Sequence, residues 1–317
     1  MKNNLVCYAT RFGPFVHDVN DRVIGRSLRL YGEWAPGETA LLSGIVQHGD
    51  VVIDVGANIG YHSLFFSRLV GEDGTVISFE PDRTTHQLLQ FNSVINDLNN
   101  VTIFHSLVGR DSRIVTSWRV EAEKDNRGST SFVTNVDNDS EDRCDPLMQV
   151  SLDSLNLDRC DLIKIDVEGF EPEVFAGATE TLTRCRPVIL YEQRSEENYH
   201  EIQKILRSAD YRSYWSVTHC YPEFNIHDNK DDFFKGATEI NILAIPHENV
   251  ADYSLVEKLA PVADGAFDPP ALSQLDDDHF VRQNVLTPDE LKWIERLSQF
   301  LKRKSPAEDS AVSAVQV

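Results

Sequence analysis

The segment Leu162-Ile163-Lys164-Ile165-Asp166-Val167-Glu168-Gly169-Phe170-Glu171 places ionisable residues at every second position of an apolar run. In an extended strand Lys164, Asp166 and Glu168 share one side, and Ile163, Ile165 and Val167 the other. Charge in a buried strand is costly unless paired, so the row reads as a site where Asp166 takes a proton or anchors a hydroxyl while Lys164 keeps it ionised. A structural Lys–Asp pair closing a sheet is the plainer alternative. Val188-Ile189-Leu190-Tyr191-Glu192 ends in the same way, and Glu168 and Glu192 fall beside Asp166 as further acids. His219, at the end of a later strand, is a rival base because imidazole titrates near neutrality, although a surface histidine is the plainer alternative. No metal is expected, but Asp166 and Glu192 are oxygen donors that suit Mg²⁺ if one binds.

The second constellation is Asp54-Val55-Gly56-Ala57-Asn58-Ile59-Gly60, between an apolar run and a helical pattern. Gly56 and Gly60 allow a tight turn and a close approach to a ligand, and the helix that follows offers free N–H groups. Asn58 stands where a dinucleotide fingerprint carries its middle glycine, which argues against a nicotinamide-dependent oxidoreductase. Asp54 suits a cation such as the amino acid portion of S-adenosylmethionine. Some 20 residues on, Phe79-Glu80-Pro81-Asp82 supplies Glu80, whose carboxylate can accept both hydroxyls of a ribose, while Asp82 after Pro81 reads as a helix N-cap.

The elements that must position these residues alternate. Apolar runs at 51–55, 75–79, 101–104, 162–167, 188–191 and 240–245 read as strands buried on both faces, and amphipathic stretches lie between several of them. Alternation of this kind predicts an α/β fold with a mainly parallel, doubly wound sheet. In such sheets ligands bind outside the carboxyl ends of the strands, so Asp54, Glu80, Asp166 and Glu192 are expected on one rim. Residues 110–150 read as a polar, loop-like insertion or lid. The chain divides into a domain at 1–249 and an acidic linker with an amphipathic helix at 250–317. In that helix Thr287 and Glu290 form a capping box, and Leu291, Ile294, Leu297 and Leu301 a stripe that fits self-association as a homodimer.

With 51 acids against 30 bases, the 317-residue chain has a net charge of −21, which disfavours nucleic acid and anionic membrane surfaces as partners. Its 41% hydrophobic content is that of an ordinary globular protein. The five cysteines form no C-x-x-C pair and read as reduced thiols. No apolar run approaches the roughly 20 residues of a membrane span, and the cytoplasm is the expected location.

Together these residues resemble the FkbM-type methyltransferases. The likeness runs from Gly32-Glu33-Trp34 and Glu38 through the 54–62 and 79–81 motifs, Gly128-Ser129, Ser151-Leu152-Asp153 and the 163–171 motif to Arg186-Pro187-Val188-Ile189 and Asn241-Ile242-Leu243-Ala244. It implies a Rossmann-like class I methyltransferase fold with seven strands in the order 3-2-1-4-5-7-6, S-adenosyl-L-methionine as cofactor and S-adenosyl-L-homocysteine as product. It further implies O-methylation of a hydroxyl on a sugar, glycan or glycosylated metabolite. Cofactor contacts are expected at Glu33, Glu38, Asp54, Gly56, Asn58, Gly60, Tyr61, His62, Glu80, Pro81, Ser106, Leu107 and Asp166. Trp34, Tyr61, Trp215 and Tyr221 are candidates to stack on a sugar face. A noncatalytic cofactor-binding subunit is the remaining alternative, disfavoured by the intact Asp54, Glu80 and Asp166.

Overall fold

The computed structural model describes residues 5–121, 130–134, 145–193, 195–263 and 267–270. The Gly128-Ser129 motif, most of the acidic tract within 137–145 and the helix expected at 288–304 lie outside the described residues. Strands β3 (Val51–Val55), β4 (Thr75–Phe79), β5 (Val101–Phe104), β10 (Leu162–Ile165) and β11 (Val188–Glu192) run parallel. With β12 (Tyr211–His219), β13 (Thr238–Pro246) and β14 (Ala260–Pro261) they form one sheet in the order β14-β12-β13-β11-β10-β3-β4-β5. β13 lies antiparallel to both its neighbours. Counted within this sheet alone, the order is 3-2-1-4-5-7-6, and β14 adds an eighth edge strand where seven were expected.

Alternation along the strands divides the core into two. Val52, Leu162, Val188, Leu190, Leu243 and Ile245 pack on one face with α3 (Tyr61–Val70) and an N-terminal hairpin of β1 (Leu5–Thr10) and β2 (Gly13–Asp18). Ile53, Ile163, Ile165, Ile189, Tyr191 and Ile242 pack on the other, with α5 (Glu171–Ala176) and α7 (Glu196–Ser208). The helices α1 (Ile24–Tyr31) and α2 (Pro36–Ser43) also join the first face.

Three expectations are corrected. β5 is a sheet edge, so its residues are only partly covered and Phe104 is exposed. The 110–150 segment is not a plain loop: β7 (Arg113–Glu121), β8 (Thr130–Thr134) and β9 (Asp145–Val150) join β6 (Leu107–Val108) in a second sheet. Its strands were obscured by a polar sequence; among the described side chains Ile114 and Met148 face outward while Leu107, Val115 and Leu147 pack together. The packed body also continues past 249: Val250, Tyr253, Leu255 and Leu259 lie against the first core, and Val262 and Phe267 against the second.

α4 (Arg83–Ile95) ties the hairpin to the sheet. Asp82 caps it as expected, accepting from the N–H groups of Thr84 and Thr85. One turn from its end, the buried Asn92 accepts from Val16 N at 2.8 Å and donates to Val16 O at 3.0 Å and Ile59 O at 2.9 Å. Asn92→Ala orphans three backbone groups in a closed core. It should destabilise the protein by about 2–5 kcal/mol in urea unfolding, with the hairpin amides losing exchange protection first.

Candidate active site

Strand register accounts for the rim. Lys164 lies opposite Asp54 on one side and Leu190 on the other, and Glu192 lies opposite Asn241. Asp54, Lys164, Glu192 and Asn241 therefore point to the same face of the sheet, at the carboxyl ends of β3, β10 and β11. β10 ends at Ile165, one residue earlier than expected, yet Asp166 N still donates to Val55 O at 3.0 Å and keeps Asp166 in line with the row. Glu168 turns back through a left-handed conformation, φ 55°.

Lys164 is the centre of this arrangement. Its Nζ lies 3.2 Å from Asp166 Oδ2 and 3.8 Å from Glu38 Oε2. Burial alone would strip its proton, but Asp166, Glu38 and Asp54 together hold it ionised and raise its pKa. Glu38 enters from the first turn of α2, facing His62 Nε2 at 3.1 Å and accepting from Asn241 Nδ2 at 3.0 Å. Burial opposes its ionisation most strongly, yet Lys164, His62 and Asn241 hold its carboxyl down to about 2. Asp54 differs: it is fully enclosed, and burial raises its pKa despite Lys164 and His62.

The loop after β3 is shaped by the same strand ends. A Cβ on Gly56, at φ +80°, would lie 1.9 Å from the carbonyl oxygen of Asp166, so only glycine fits against β10. Asn58 adopts φ 51°, tolerable for asparagine, and its N–H donates to Glu80 Oε2 at 2.9 Å. Asp82 N donates to Glu80 Oε1 at 2.8 Å. Nearby, the Ser106 hydroxyl is buried with no hydrogen-bond partner.

A cavity of about 350 Å³ joins these groups. Following the sheet order, Glu80, Pro81, Ser106 and Leu107 line it on the β4–β5 side, Gly56, Asn58, Tyr61 and His62 at the centre, and Lys164, Asp166, Glu168 and Glu192 beyond. Glu38 and Trp34 complete the expected residues that reach it. Asp166, Glu168 and Glu192 can each offer one oxygen within 4.8 Å of the others, a spacing open to a hard cation.

Several expected residues do not reach the cavity. Glu33 is a structural ion partner of Arg11 and accepts from Ile226 N at 3.0 Å. Asp54 is covered, with Oδ2 accepting from the Ser63 hydroxyl at 2.7 Å. Gly60 caps α3, its α-carbon closed over by Leu89. His219 is exposed on β12 and is not a lining residue, because the rim there is formed by β13 instead. Trp215 is buried against Tyr199, and Tyr221 meets Tyr31 edge-on.

Sequence reasoning missed Glu239 and Phe234, both in the cavity wall, and the supporting Asn241. A signal existed: Glu239-Ile240-Asn241-Ile242 alternates just as 163–166 does, but it begins an antiparallel strand rather than ending a parallel one. Oε2 of Glu239 is enclosed without a hydrogen-bond partner. Burial first, then the like charges of Glu38, Glu192 and Asp166, push its carboxyl well above the usual range, and Lys164 offsets this only in part.

A family model described as the methyltransferase FkbM domain matches residues 54–213. No curated protein sequence matches the chain. Similar solved structures include methyltransferase FkbM from Methylobacillus flagellatus KT, 18% identical over 61% of this chain and 43% of that one, TM-score 0.41. Precorrin-6y C5,15-methyltransferase from Geobacter metallireducens GS-15 is 15% identical over 66% of this chain and 86% of that one, TM-score 0.38. Aeropyrum pernix fibrillarin, solved with S-adenosyl-L-methionine, is 17% identical over 66% and 73%, TM-score 0.38.

The raised carboxyl of Glu239 has a signed consequence. The folded protein keeps a proton there that the unfolded chain releases near the ordinary value of 4.5, so stability is lost as pH rises above that value. Glu239→Gln removes this loss. The variant should melt above the wild type near neutral pH, and the difference should vanish below about pH 4, as read by calorimetric melts across pH.

Proposed function

We propose that this chain, which belongs to the FkbM methyltransferase family, methylates a hydroxyl of a sugar, glycan or glycosylated metabolite, with Asp166 receiving the hydroxyl proton. Its cofactor, S-adenosylmethionine, supplies a methyl group already activated on a sulfonium sulfur. The residues present fit that cofactor. Glu80 lines the cavity with both carboxylate oxygens positioned by backbone N–H groups, which suits a ribose, and the orphaned Ser106 hydroxyl and Leu107 wall suit the base.

For an alcohol acceptor the protein must hold the oxygen in line with the methyl group and remove its proton as the bond forms. The observation that carries the assignment is the Lys164–Asp166 contact at the cavity wall. The lysine side chain is 4% exposed and that of Asp166 is 37% exposed, so the cation is fixed while the carboxylate is open to a ligand. Glu168 and Glu192 stand beside it to orient further hydroxyls. The aromatic wall of Trp34 and Tyr61 offers apolar surface to a sugar ring. No described helix is long and apolar enough to cross a membrane.

The reading is tested by methyl transfer from labelled cofactor to a panel of free, nucleotide-linked and polymeric sugars, with hydroxyl methylation located by NMR. Methylation of a protein, a nucleic acid or a carboxylic acid in preference to every sugar refutes it. Asp166→Asn keeps the shape of the site and removes the proton acceptor. It should bind S-adenosylhomocysteine almost normally while transfer falls about 10²–10⁴-fold. Activity within a few fold of wild type makes Asp166 structural. Glu80→Ala should weaken S-adenosylhomocysteine at least about tenfold in calorimetry, through lost charged hydrogen bonds.

A further inference from the structure

We infer that β5, the outer strand of the large sheet, pairs with the β5 of a second copy of this chain about a two-fold axis. The inference does not depend on the methyltransferase reading.

Three observations support it. The first is the backbone. Glu80 N donates to Phe104 O at 3.1 Å and Val76 N to Asn100 O at 2.9 Å, so Asn100 and Phe104 turn their carbonyls to β4, and Thr102 between them follows. By alternation the N–H and C=O groups of Val101 and Ile103 point away from the sheet, and no strand among the described residues receives them. A second β5 brings the same row of donors and acceptors in the reverse direction. An antiparallel pair about a two-fold therefore satisfies both copies with one patch.

The second is the contrast between the two edges of the sheet. β14, at the far edge, is two residues long and includes Pro261, which blunts it against pairing. β5 reads Val-Thr-Ile-Phe, with neither a proline nor a charge. Its Phe104 is 41% exposed, and Val94, on the helix that leads into the strand, is 73% exposed. Phe91 is exposed one turn before Val94.

The third is charge. Two copies, each with a net charge of −21, repel one another over most of their surface. From Arg83 to Arg110, the stretch that holds α4 and β5, there is a single acid, Asp97, in a chain with 51. Two acidic bodies meet with least repulsion along this face.

The test is the oligomeric state of the full chain, read by sedimentation velocity at micromolar concentration, with amide hydrogen exchange on the same samples. The chain should form a dimer that tightens as NaCl is raised, because salt screens the repulsion between the two bodies and leaves backbone pairing intact. The Val101 and Ile103 amides should gain at least about tenfold protection as concentration rises. Thr102→Glu sets a carboxylate on each facing strand and should weaken the dimer at least about tenfold. Ile103→Pro removes a donor that the single chain does not use and should weaken it likewise, with circular dichroism checking that each variant folds as the wild type does. A chain that stays monomeric in salt, a dimer whose Val101 and Ile103 amides exchange alike at low and high concentration, or a dimer that neither variant weakens overturns the inference. A dimer that loosens with salt, or one that Leu297→Glu abolishes while Thr102→Glu leaves it intact, places the interface elsewhere and overturns it as well.

Discussion

One buried ammonium organises the site. Lys164 stands in the central strand of the sheet with its charge divided among Asp166, Glu38 and Asp54, which arrive from β10, α2 and β3. None of those carboxylates is stable in such a place without a cation, and the lysine is not stable there without them. Four acids compete for one cation, counting Glu239, and the outcome differs by position. Glu38 is close and hydrogen-bonded and is held ionised, whereas Glu239, further along the rim, is left with its carboxyl raised.

The same strand end fixes the cofactor loop. Gly56 packs against the carbonyl of Asp166 so closely that no side chain fits, and Asp166 N bonds back to Val55 O. The loop proposed to meet the cofactor and the residue proposed as base are therefore parts of one joint between β3 and β10. Methyl transfer depends on in-line placement within fractions of an ångström, and the joint removes the freedom that would spoil it.

Much of this was legible in the sequence because parallel strands buried on both faces write themselves as apolar runs. Val51–Val55, Thr75–Phe79 and Val188–Glu192 stand where the pattern put them. Lys164, Asp166, Glu168, Glu80 and Glu192 also meet in one cavity as alternation and strand polarity required. What was not legible came from long-range packing. Glu33 and Glu38 lie five residues apart in similar surroundings, yet one binds Arg11 away from the cavity and the other reaches Lys164. Nothing local distinguishes them. Asp54 sits one residue inside the end of β3 whereas Glu80 lies one residue past the end of β4, and Ser63 and the turn of α3 close over Asp54. The small sheet of β6 to β9 escaped because the 110–150 sequence is mostly polar, which reads as a loop.

The family match covers residues 54–213, which hold the cofactor loop, Glu80, Lys164, Asp166 and Glu192. Trp34, Glu38, Phe234 and Glu239 all lie outside it. Glu239 belongs to β13 and Glu38 is held by Lys164 and Asn241 of the sheet, whereas Trp34 and Phe234 belong to two segments that are also clamped to one another. Arg11 donates to Phe224 O at 3.0 Å, Phe233 N donates to the Tyr31 hydroxyl at 3.0 Å, and the Arg26 guanidinium sits 4.4 Å over the Phe233 ring. Tyr31 also stacks on Phe233, and the Tyr31 hydroxyl donates to Asp231 O. The N-terminal segment and the 221–237 connection thus form a single wall across the cavity from the joint of β3 and β10. A wall built on its own contacts can change its charge and shape without disturbing that joint. Under the proposed function, substitutions at Trp34 and Phe234 should alter which molecule is methylated before they alter how.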